Sequence, residues 1–141
     1  MEPKGKTAKF LAVFGALIVS APIILSLVIG VIHSIRIGRL QIDFLMPAEL
    51  FPVELCGALM LLAVALLTRS HVKPIAWSFG LSIASLIASM CIAVATGLAS
   101  GETVGGWAMA LTTSMFVLYI LALVVLVVSG IRLAIKLFSA K

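Results

Sequence analysis

The sequence predicts an all-α, polytopic membrane protein: four transmembrane helices in an up-down bundle, with an interfacial elbow between the first and the second. Three observations predict it. Four apolar runs each reach the ~20 residues that a hydrocarbon core ~30 Å thick requires. Of 141 residues, 63% are hydrophobic and only 11% are charged, which is more apolar side chain than so short a chain can bury inside itself. Lipid must supply the remaining contacts, and the mean hydropathy of +1.32 agrees. Finally, the Lys and Arg residues fall in short clusters beside the apolar runs, as they do where charge sets orientation in a bilayer. A single domain, with spans at about 10–35, 47–67, 74–100 and 107–133, uses the whole chain.

The first span follows Lys4, Lys6 and Lys9 and stays apolar from Phe10 to Ile35. That is longer than the ~7–15 residues of a signal-peptide core, so it is expected to remain as a helix. Pro22 falls near its middle and is expected to kink it. Ser26, Gly30 and Ser34 recur every four residues, a stripe that lets another helix approach closely.

Residues 36–54 hold Arg36, Arg39 and three of the five carboxylates, Asp43, Glu49 and Glu54. Gly38 breaks the first helix, and Leu40, Ile42 and Phe44 alternate with Gln41 and Asp43, which is the pattern of an interfacial elbow. A second span counted from Pro52 to Leu67 is only ~24 Å long, whereas one begun at Pro47 is ~31 Å and fits the bilayer. The helix is therefore expected to start at Pro47 and to carry Pro52 in its second turn, with Glu54 ~10 Å below the outer boundary.

Thr68 to Lys73 reads as a tight polar turn, and Pro74 opens the third span. Ser78, Ser82, Ser85 and Ser89, together with Gly80, Ala84 and Ala88, make it the helix richest in small residues, which predicts a central place in the bundle. The fourth span follows the SGETVGG turn. Its first half carries Thr112, Thr113 and Ser114 and is expected to pack, while the aliphatic stretch from Leu121 to Val128 is expected to face lipid. Arg132, Lys136 and Lys141 end the chain as a basic amphipathic tail.

Eight of the ten Lys and Arg lie in the N-terminal head, the 68–73 turn and the C-terminal tail. Both termini are accordingly expected in the cytoplasm of a cell membrane. Although the formal charge is +5, the cations form no continuous groove, so no nucleic-acid partner is expected. Cys56 and Cys91 stand apart, without a C-x-x-C or a neighbouring His, and read as buried inert thiols. No nucleotide loop, zinc motif or nucleophile elbow occurs, so no cofactor, metal or enzymatic activity is expected.

Five residues remain as candidates for function. Glu54 is the sharpest, because an acid inside the hydrocarbon region marks an ion or proton site unless it is a helix-start carboxylate reaching back to water. His33, Arg36 and Glu49 lie close to it in depth if the first two helices form a hairpin, giving either a proton path or a rim salt-bridge cluster. Tyr119, about mid-membrane, needs a partner for its hydroxyl, and Ser82, Ser85 and Ser89 of the third helix are at matching depth. His71 lies in the opposite turn from His33, which excludes a shared haem or metal.

Two functions survive. One is an accessory subunit that binds other membrane chains through the small-residue faces of the first and third helices. The alternative is a small homo-oligomeric transporter or channel that uses Glu54. With no polar residues running from one surface to the other, the sequence alone favours the first.

Overall fold

A computed structural model describes residues 2–38, 50–100 and 106–139, except for the side chains of 2–4 and 99. These residues form four helices: α1 (Glu2–Ile37), α2 (Phe51–Thr68), α3 (Val72–Ala95) and α4 (Gly106–Ser139). A short 3-10 turn, Leu98–Ser100, follows α3. All four helices are long and apolar enough to cross a membrane, and together they make an all-α four-helix bundle. The segment proposed as an elbow and the expected helix start at Pro47 lie outside the described residues.

Local chemistry sets the helix ends. Gly38 and Gly97 take φ of +67° and +79°, a conformation open to a residue without Cβ, and they close α1 and α3. Because of Gly97, α3 stops at Ala95, five residues short of the expected end at Ser100. The turn after α2 contains no glycine, so Arg69 and His71 adopt the left-handed conformation, with φ of 49° and 54°. Pro52 lies in the first turn of α2, where its missing N–H removes no helical hydrogen bond. Pro22 sits inside α1, which continues through it.

The bundle is assembled along one seam. Ala8, Ala12, Gly15, Ala16 and Val19 form a buried stripe on α1 that faces Ala58, Leu61, Val64 and Ala65 of α2. A Cβ built on Gly57 would touch Val19, and one built on Gly15 would touch Leu61, so the two helices run antiparallel in close contact. Gly130 of α4 meets Leu61 and Ala16, which brings α4 onto the same seam. The other face of α4 takes α3.

Three expectations are corrected here. First, α3 is peripheral rather than central. It packs chiefly on α4 through one stripe, Ile75, Ser78, Ser82, Ser85, Leu86 and Ser89, while Trp77, Gly80, Ala84 and Ile87 point outward. Second, the two halves of α4 do not divide as expected: Thr113 and Ser114 are exposed beside a part-buried Thr112, and in the aliphatic stretch Ala122, Leu123 and Leu126 are buried while Leu121, Val124, Val125 and Val128 face outward. Third, Cys56 and Cys91 are both free and exposed on outward faces, not buried. The three share a cause. Lipid tails are as apolar as Leu, so a leucine gains nothing by choosing protein over lipid, and small size rather than apolarity selects the packed face.

Candidate functional site

Glu54 belongs to the first turn of α2, yet packing carries it deep into the bundle. Gly57 abuts Ile18 and Val19. In an antiparallel pair, Glu54 then lies about one turn further along, level with Pro22 near the midpoint of α1. Its side chain is 2% exposed. The start of α2 alone would leave Glu54 within reach of headgroup water, but the long α1 extends well past it.

The partner is Tyr119 of α4, whose hydroxyl donates to Glu54 Oε2. Tyr119 is fully buried at 0% exposure, and its ring fills the space between α4 and the α1–α2 seam. This overturns the expectation that serines of α3 receive the tyrosine. Two of the three expected serines bond within their own helix, Ser82 donating to the Phe79 carbonyl at 2.8 Å and Ser85 to that of Leu81 at 2.6 Å, as Ser78 does to that of Pro74, whereas the third, Ser89, does not. Such back-bonding uses their protons within α3, and Tyr119 gives its own proton to Glu54 rather than to a serine oxygen.

The second carboxyl oxygen, Glu54 Oε1, is buried and accepts no hydrogen bond from the described residues. No ion pair reaches Glu54 among the described residues. Ser89 Oγ and Thr112 Oγ1 are also buried without partners, on the facing helices α3 and α4. Ser78 and Ala122 line one cavity between α3 and α4, and counting along the two antiparallel helices from there puts Ser89 and Thr112 at about one level. Among the described residues, Glu54 Oε1, Ser89 Oγ and Thr112 Oγ1 thus lie within the helices without a hydrogen-bond partner, as Ser70 Oγ does in the turn after α2.

No known family, curated protein or solved structure matches the chain. Its functional reading therefore rests on the site.

Of the five candidates, Glu54 and Tyr119 are brought together. His33 is half-buried toward the far end of α1, Arg36 is exposed in the last turn of α1, and neither bonds to Glu54. Glu49 lies outside the described residues. His71 is at the end of the bundle opposite His33. Among the described residues, no group of three His, Cys, Asp or Glu could hold a metal ion, and no catalytic constellation is present. Ser89 and Thr112 were not singled out as unpartnered atoms beforehand. The one available signal was that both are hydroxyl residues on spans predicted to be neighbours.

Proposed function

We propose that the chain is a small homo-oligomeric transporter or channel in which Glu54 binds a transported monovalent cation or proton. One observation carries the reading: the acid is 2% exposed and, among the described residues, is held by a single hydroxyl with its other oxygen unbonded. Burying an ionisable group inside a membrane bundle is costly, and such groups pair or lie on ion pathways. A purely structural carboxylate recovers that free energy from an ion pair, and Glu54 forms none among the described residues. The accessory-subunit alternative needs the small-residue faces of α1 and α3 as open surfaces. On α3, Gly80 and Ala84 are exposed, but on α1 Ser26 and Gly30 are buried within the bundle, so that face is already used, which favours transport.

The test is direct. Reconstituted in liposomes, the purified chain is expected to dissipate an imposed proton or potassium gradient faster than empty liposomes, and native mass in a mild detergent is expected to exceed that of one chain. A dissipation rate equal to that of empty liposomes for both ions overturns the proposal.

The orientation we propose has both termini in the cytoplasm and the elbow at the opposite surface. It is supported by the eight Lys and Arg gathered at the end that holds the termini and the 68–73 turn. With Cys56 and Cys91 replaced, a cysteine at Lys73 should react with a membrane-impermeant reagent only from the inside, and one at Asp43 only from the outside. Labelling of position 73 from outside intact cells rejects this topology.

A further inference from the structure

At the basic end of the bundle, α1, α2 and α4 leave a cleft of about 640 Å³ between them. That volume lies within the ~300–1,000 Å³ typical of ligand clefts. Its walls are apolar, formed by Ala8 and Leu11 of α1, Ala63 and Leu67 of α2, and Leu137 of α4, with Thr7 and Thr68 as its polar lining. The surrounding sequence is strongly cationic. Lys6 stands between Gly5 and Thr7, Arg69 directly follows Thr68, and Lys136 directly precedes Leu137; all three are exposed. Lys9 lies 5.4 Å from the centre of the Phe138 ring, one residue beyond Leu137. The one acid at this end of the sequence is Glu2.

From this juxtaposition of an apolar interhelical cleft with exposed cations next in sequence to its lining residues, we infer that the cleft binds an anionic phospholipid of the leaflet at this end, with an acyl chain along Leu11, Leu67 and Leu137 and the phosphate drawn to Lys6, Arg69 and Lys136. Both parts of the occupant follow from the chemistry. An apolar cleft that opens beside the exposed Leu67 is in contact with hydrocarbon and admits a lipid tail. Juxtamembrane cations attract anionic headgroups over zwitterionic ones, and basic pockets between membrane helices hold them. The inference is independent of Glu54, which belongs to the other half of the chain's polar chemistry.

The test uses the full chain in a mild detergent, with phosphatidylglycerol or phosphatidylcholine added. Lipid retained is read by native mass spectrometry, and stability by the thermal midpoint. Phosphatidylglycerol is expected to be retained preferentially and to raise the midpoint. Arg69→Gln and Lys136→Gln should each lower that preference about fivefold, since one cation near a membrane surface contributes ~1 kcal/mol. Gly5→Leu probes the cleft itself: a side chain at Gly5 meets nothing within 4 Å, so the variant folds while filling the space. It is expected to retain little of either lipid. Equal retention of the two lipids by the wild type overturns the inference, as does undiminished phosphatidylglycerol binding by Gly5→Leu. The same midpoint rise with inorganic phosphate alone also overturns it.

Discussion

Glu54→Gln protein in liposomes is expected to fold as the wild type does and to carry flux no faster than empty liposomes. Gln has nearly the shape of Glu, and its amide oxygen still accepts from the Tyr119 hydroxyl, so the buried contact between α2 and α4 survives. Its NH₂ replaces Oε1, an atom that already lacks a partner among the described residues. One unbonded group is thus exchanged for another, each costing about 1–3 kcal/mol, and the stability change is small. What the variant loses is the negative charge, and with it any means of binding a cation. Tyr119→Phe makes the complementary change, keeping the acid while removing its one donor. It is expected to retain flux with an altered dependence on ion concentration. Circular dichroism and gel filtration establish folding, and the gradient assay reads function. Wild-type flux from a folded Glu54→Gln protein would falsify the role assigned to the carboxylate.

Gly57→Leu is expected to separate α1 from α2 and to abolish most of the folded yield. A single Cβ at Gly57 would fall 2.7 Å from Val19 Cγ2, 2.9 Å from Ile18 Cγ2 and 3.0 Å from the Val19 backbone nitrogen. The two methyls have some freedom to rotate, but the nitrogen moves only if α1 moves. Overpacking of this kind typically costs ~1–3 kcal/mol, and a leucine adds three more carbons beyond the Cβ, so the upper end of that range is a minimum. Gly57→Ala is milder, because alanine gains about 1 kcal/mol of helix propensity over glycine and offsets part of the strain. Gly80 is the control: a Cβ there meets nothing within 4 Å, so Gly80→Ala should leave stability unchanged or slightly raised. Thermal midpoints of the four proteins in one detergent make the comparison. If Gly57→Leu melts with Gly80→Ala, the tight α1–α2 seam does not exist.

The sequence by itself determined that this is a four-span membrane protein and roughly where each span lies. Apolar runs of ~20 residues have no stable place in a small water-soluble domain, and that constraint is local and additive. It also marked Glu54 and Tyr119, since a carboxyl and a phenol within apolar spans stand out by composition alone. The tertiary structure decided the rest. Glu54 and Tyr119 are 65 residues apart, and their bond depends on the close approach at Gly57 and Gly130 that brings α2 and α4 onto α1. The depth of Glu54 likewise could not be read from α2, because it depends on how far α1 extends beyond it. The peripheral place of α3 and the buried stripe in the aliphatic half of α4 were misjudged for a related reason: hydropathy distinguishes water from oil, whereas inside a bilayer both the packed face and the lipid-facing face are oil. In water, burial selects the apolar face of a helix. Here close packing selects it, and close packing is a property of two surfaces together.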